Sequence, residues 1–178
     1  PKATSLGKVL AQAGYKTAYI GKWHLDGSPR SGFTAPERRQ GFQYWKALNC
    51  THNYNESIYY TGRDMEQQIW EDYDAFAQTR DAEDYIKQQT ADNNPPFFLM
   101  LSWGPPHAPY QTAPEQYRAM YDPETITLPA NVPESESDRA RQDLAGYYAH
   151  ISALDACLGS LLETLDASGI RDNTLLIF

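Results

Sequence analysis

The sequence has little cysteine, no excess of positive charge and no long apolar run, and each shortage excludes something. Only Cys50 and Cys157 occur in 178 residues, too few for a disulfide framework and without the Cys-x-x-Cys spacing of a zinc or redox site. Two free or buried thiols are expected. The net charge of −8 argues against general affinity for nucleic acid or an anionic membrane, since either needs a basic surface. It leaves room for a local cationic pocket. The longest apolar run, Phe97 to Leu101, falls far short of the roughly 20 residues that cross a bilayer, so no membrane span is expected. The first residues, Pro1-Lys2-Ala3-Thr4, have no basic and apolar leader pattern, and the compartment is left open. No carboxylate or His/Cys cluster has metal-site spacing.

Aromatics are plentiful, at 13% with thirteen Tyr and four Trp. Together with 21% charged residues, they suit an α/β layer with long polar loops, or part of a larger protein. Thr4 can cap a helix bearing Leu6, Val9, Leu10 and Ala13 on one face, with Gly14 just past its end. Thr17 to Ile20 then reads as a buried strand. From Gly21 to about Asp74 periodicity is lost while Phe42, Tyr44, Trp45, Tyr54, Tyr59 and Tyr60 accumulate. A loop that long is usually functional or disordered, and its aromatic content disfavours disorder. It is read as an ordered excursion lining a site.

Thr79 to Thr90 is expected to be a second helix, ended by the Asp92-Asn93-Asn94-Pro95-Pro96 turn signal. Phe97 to Trp103 reads as a strand covered on both faces. A short helix starts at Pro114 and runs through Tyr121, and the proline-bearing stretch Asp122 to Glu136 is a connector. The last helix, about Ser137 to Ala167, carries a stripe from Leu144 through Leu165 and is followed by an apolar run, Thr174 to Phe178, read as a third strand. Helix alternating with strand is the pattern of a mainly parallel sheet flanked by helices. Three strands make a poor independent sheet, which points to a piece of a larger enzyme. Its unpaired sheet edge should favour self-association.

In open α/β sheets the ligand crevice lies beyond the carboxyl ends of the strands. Two loops there carry chemistry: Gly21-Lys22-Trp23-His24 and Pro105-Pro106-His107-Ala108-Pro109. Lys22 and His24, two apart, would point to the same side if the strand continued. Lysine offers a point charge for an oxyanion, and histidine offers proton transfer near neutral pH. The prolines around His107 restrict its loop, which suits a general acid or base; the competing reading is a turn whose His packs on Trp103. His52, within the aromatic excursion, and Asn55 are candidate substrate contacts, with aromatic faces suited to sugar rings or aryl groups. His150 is read as a packing residue and Asp155 as the partner of a buried donor. Asn49-Cys50-Thr51 and Asn55-Glu56-Ser57 match the glycosylation sequon, which matters only in a eukaryotic secretory setting.

At these residues the chain resembles the sulfatases, the formylglycine-dependent branch of the alkaline phosphatase-like superfamily. Leu10 to Leu25 closely follows the family's second signature. Pro96 to Leu99 leading to Pro106-His107-Ala108-Pro109 is similar to its middle histidine region, and Tyr147-Tyr148 through Asp155 to Asn173-Thr174 is similar to the helix before its late metal loop. The resemblance implies a partial alkaline phosphatase-like fold, with residues 1–178 an internal part of the catalytic domain. It implies that Lys22 binds sulfate and contacts formylglycine, and that His24 holds the formylglycine hydrate and takes the proton that releases sulfate. His107 would bind sulfate and protonate the leaving alcohol. Calcium and formylglycine are implied as cofactors, a sulfated small molecule or glycan as substrate, and a periplasmic or secreted location.

Neither cysteine stands in the family's Cys/Ser-x-Pro-x-Arg pattern. Calcium ligands are expected upstream and just after Phe178. A phosphodiester or phosphonate ester hydrolase of the same superfamily, and a non-catalytic glycan-binding module, are the alternatives. The purified 178-residue polypeptide alone is expected to release no sulfate from an aryl sulfate, and measurable hydrolysis free of contaminating enzyme would overturn that.

Overall fold

The run Lys16–Lys22 has no polar alternation between Thr17 and Gly21, which suits a strand with both faces covered. In the computed structural model, which describes residues 3–27, 29–90 and 94–178, it forms β1 with neighbours on either side. A short helix, α1 (Leu6–Gln12), precedes it. The strands β2 (Tyr44–Leu48), β3 (Ser57–Thr61), β4 (Gln68–Trp70) and β5 (Phe97–Ser102) complete a sheet in the order β4-β3-β2-β1-β5. Both neighbours of β1 are parallel to it, whereas β2, β3 and β4 meander antiparallel. The helices α2 (Asp74–Gln89), α3 (Glu115–Arg118) and α4 (Ser137–Ala167) follow the sheet's connections.

The side chains of β1 alternate between two cores. Ile20, with Leu48, packs among Ala77, Ala82 and Ile86 of α2 and Leu161 and Leu165 of α4. Tyr19, with Ala47, faces the other way into an aromatic cluster of Trp23, Phe42 and Trp45. Tyr19 meets Trp23 edge-on at 4.8 Å and stacks on Trp45 at 5.4 Å, geometries worth about 0.5–1.5 kcal/mol per pair beyond area burial. The aromatics of the excursion are therefore largely core. Trp45 and Tyr54 are buried rather than lining a cleft.

Several elements differ from the sequence expectations. Ser5, not Thr4, caps α1, accepting from the Lys8 amide; Leu6 and Val9 are exposed while Gly7 is buried. The helix expected from Thr79 begins at Asp74, and the excursion, read as ordered but without periodicity, contains β2, β3 and β4. β5 is only half-buried, with Met100 exposed, because its outer edge has no strand beside it among the described residues. Thr174 to Phe178 is not a strand: a ladder needs a neighbouring backbone, none of the described strands pairs with it, and Leu175, Ile177 and Phe178 are exposed. Asp155 is exposed on α4 rather than paired inside. On α4 the buried face uses Ala145, Ala149 and Ala153 beside Leu154, Leu161 and Leu165, while Ile151 is exposed. The turn signal at Asp92 and Asn93, and the first residues Pro1 and Lys2, lie outside the described residues.

Gly21 shows how closely β1 and β5 approach. Its φ is +104°, and a Cβ there would stand 2.1 Å from the Ser102 carbonyl oxygen. Neither the backbone conformation nor the space admits a side chain. Gly21→Ala is expected to destabilise the folded protein by about 2 kcal/mol or more, read as a lowered urea midpoint. An unchanged midpoint would contradict the close approach.

Candidate active site

Register sets where the site forms. Gly21 lies opposite Ser102 in β5 and opposite Ala47 in β2, so three strand ends sit side by side. Beyond β1 the hydrogen bonding to the β2 side continues: Trp23 donates its amide to Leu48 O at 2.8 Å, and His24 to Asn49 O at 2.7 Å. His24 has φ +48°, which breaks the pleat, so the expected strand alternation does not orient it. One step on, Cys50 donates its amide to Arg30 O at 2.8 Å, tying Arg30 to the segment that carries His52.

His52 and His107 meet face to face. Their ring centroids are 4.7 Å apart and the planes differ by 21°. His107 therefore stacks on His52, not on Trp103 as the competing reading supposed. Partial burial, then the charges of His107, Arg30, Lys22 and His24, hold the His52 imidazole below its ordinary value. The structure thus gathers Lys22, His24, His52 and His107 and adds Arg30, which the sequence did not single out. A lone arginine in a loop carries no periodic or motif signal, and only the Arg30–Cys50 backbone bond reveals its place. Asn55 is not drawn into this group; its side chain is exposed and donates to Thr112 O at 3.4 Å.

The His107 loop is held from beneath by two buried rings. His107 Nδ1 lies 2.8 Å from Ala108 O. Because a carbonyl only accepts, Nδ1 carries a proton there and Nε2 is left for a ligand. The Tyr54 hydroxyl donates to the same Ala108 oxygen at 3.2 Å. His150, fully buried on α4, directs Nε2 at Pro109 O at 3.3 Å while its Nδ1 accepts from the Tyr73 hydroxyl at 2.6 Å. Burial lowers the His150 basicity, so it is a neutral packing residue, as its sequence position implied. Gly104 makes room for Tyr54, since a Cβ on it would stand 2.7 Å from Tyr54 Cε1.

The family's formylglycine sequence pattern does not occur in these 178 residues. Neither cysteine lies in a Cys-x-Pro-x-Arg sequence, and both thiols are free and buried. Burial pushes the Cys157 thiol up, away from nucleophilic use. Among the described residues no three His, Cys, Asp or Glu could hold a metal ion together. Among the described residues no helix is long and apolar enough to cross a membrane.

The charge cluster has a direct titration signature. His52 should titrate below the usual histidine value of about 6.5, because the fold favours its neutral form. Its protonation is resisted as pH falls, and the folded state loses stability through that window. Replacing Lys22 with Met, or adding inorganic sulfate, should move the His52 midpoint upward by histidine NMR. A midpoint indifferent to both would separate His52 from the cluster.

Comparison with known proteins places these observations in a family. The family model described as sulfatase matches residues 1–178. An ulvan-active sulfatase of Formosa agariphila is 44% identical over 173 residues, covering 97% of this chain and 34% of that protein. An N-acetylglucosamine-6-O-sulfatase of Bacteroides thetaiotaomicron is 30% identical over 140 residues, 75% of this chain and 22% of that protein. A crystal structure from Bacteroides fragilis, titled as the putative sulfatase yidJ, superposes with a TM-score of 0.86 at 28% identity, over 97% of this chain and 42% of that one. The chain spans about a third or less of these two curated relatives. The mixed α/β sheet flanked by helices is the alkaline phosphatase-like fold of such neighbours. Matched along its whole length, the chain belongs to the sulfatase family.

Proposed function

We propose that this chain forms the sulfate-binding and proton-transfer part of a sulfatase that cleaves a sulfate ester on a carbohydrate. One observation carries the reading: a lysine and three histidines converge at the carboxyl ends of neighbouring parallel strands, with His52 and His107 stacked at 4.7 Å. A sulfate monoester presents oxygen atoms that need positive charge, and an ester oxygen that needs a proton as it leaves. Lys22 and Arg30 supply fixed charge. His107, with Nδ1 committed to Ala108 O, directs Nε2 at the ester oxygen and protonates it. His24, beside Lys22, takes the proton whose removal releases sulfate. His52 provides a flat, largely neutral face against His107 and an edge that can meet the substrate, while Asn55 would contact it farther out.

Family membership favours formylglycine as nucleophile and calcium as its charge partner, supplied by residues other than those described here; on that reading residues 1–178 are an internal part of the catalytic domain. A carbohydrate is favoured because one relative is named for ulvan and another for an N-acetylglucosamine sulfate. All the groups named come from one chain, so the reading does not require self-association.

The test uses the full-length protein containing this chain, with a sulfated monosaccharide as substrate and sulfate release as readout. Lys22→Ala and His107→Ala should each lower kcat/KM by at least about 100-fold. Wild-type-like turnover by both variants, or faster cleavage of a phosphodiester than of the sulfate ester, would overturn the reading.

A further inference from the structure

His107 can act as an acid only if its outer nitrogen, Nε2, is the one that faces the ester oxygen. Which nitrogen faces outward depends on what holds the other, and that holder is the carbonyl of the next residue. A backbone carbonyl in an exposed loop is free to turn toward water, and the imidazole would turn with it. Here the carbonyl has a second donor. The Tyr54 ring is fully buried, with His150 against it edge-on at 5.9 Å and Gly104 beside it. From that fixed platform its hydroxyl reaches Ala108 O. A carbonyl oxygen has two lone pairs, and both are committed, one to Tyr54 and one to His107.

We propose that Tyr54 is a positioning residue for His107: its hydroxyl fixes the Ala108 carbonyl that receives His107 Nδ1–H, keeping Nε2 toward the leaving oxygen. This rests on the reading of His107 as the acid. As the S–O bond breaks, its electron pair stays on the ester oxygen, the sulfuryl group passes to the oxygen nucleophile of hydrolysis, and the imidazolium gives its Nε2 proton to the departing oxygen. What remains is neutral histidine protonated at Nδ1, the tautomer that the Ala108 carbonyl stabilises. Burial raises the Tyr54 phenol far above its ordinary value, so it stays a donor throughout. The neighbouring Pro109 carbonyl, held by His150 Nε2, keeps the next peptide in place, so consecutive carbonyls of this loop are anchored.

Tyr54→Phe removes the hydroxyl and keeps the ring that fills the space beside Gly104. In the full-length protein it should lower kcat on a sulfated monosaccharide by about 10-fold through lost alignment, with KM changed by less than about twofold. On p-nitrophenyl sulfate, whose phenolate leaves without needing an acid, kcat should change little. Equal loss on both substrates, or no loss on the sugar sulfate, would overturn the proposal. Nitrogen-15 NMR of wild-type His107 tests it without any variant: neutral His107 should be protonated at Nδ1, and an Nε2–H tautomer would refute it. His107→Ala separates the two claims. If that variant keeps full activity on the sugar sulfate, the acid assignment itself fails; if it is crippled while Tyr54→Phe matches wild type, only the role of Tyr54 fails.

Discussion

The site depends on β1 being paired in parallel on both edges, with Gly21 opposite Ala47 on one side and Ser102 on the other. Parallel pairing aligns the carboxyl ends of three strands, and the loops leaving them have no choice but to start together. Were β5 antiparallel, His107 would leave from the opposite end of the sheet. The Ser102 carbonyl crowds Gly21 closely enough to exclude any Cβ, so the two loops begin at the shortest separation a sheet allows. Beneath this junction the buried Asp74, its carboxyl pushed up to about 7 by burial, interacts with Ser57 and Gln78. Once protonated, it can donate to a neighbouring acceptor, which offsets the cost of burying a carboxyl.

Position alone would not make the loops chemical. Each is fixed by groups packed behind it in the fold. The β1 loop extends its ladder through Trp23 and His24, and the aromatic cluster around Tyr19 and Trp45 holds Trp23. The β5 loop is held by Tyr54 from the β2–β3 connection and by His150 from α4. The aromatic richness that suggested a sugar-lined cleft is mostly this scaffolding. Tyr54 belongs to it, and so acts on chemistry through a carbonyl instead of through a substrate face.

The strands β1 and β5 were legible because Thr17 to Ile20 and Phe97 to Leu101 are apolar runs of strand length. The histidine and lysine loops were legible from their place after those runs. The strands β2, β3 and β4 were hidden by buried polar residues. Lys46 of β2 makes a 2.6 Å ion pair with Asp81, whose other oxygen accepts from Trp70 Nε1 at 2.8 Å. Arg39 is 4% exposed, donates to the carbonyls of Thr34 and Gly62, and lies over the rings of Phe33 and Trp45. A charge satisfied by partners far along the chain looks, in one dimension, like solvent-facing sequence. The error at Thr174 to Phe178 runs the other way: its apolar composition suits a strand, but composition supplies no neighbouring backbone.

The same reasoning explains why Arg30 escaped notice and why its place matters. Four groups able to carry positive charge, His107, Arg30, Lys22 and His24, stand around His52 in a chain whose net charge is −8. Such a cluster is tolerable because the lowered basicity of His52 relieves repulsion where two imidazoles stack. An anion bound among these charges would offset the repulsion that helps to hold the His52 imidazole below its ordinary value. Anion binding and the protonation of His52 are therefore coupled by linkage.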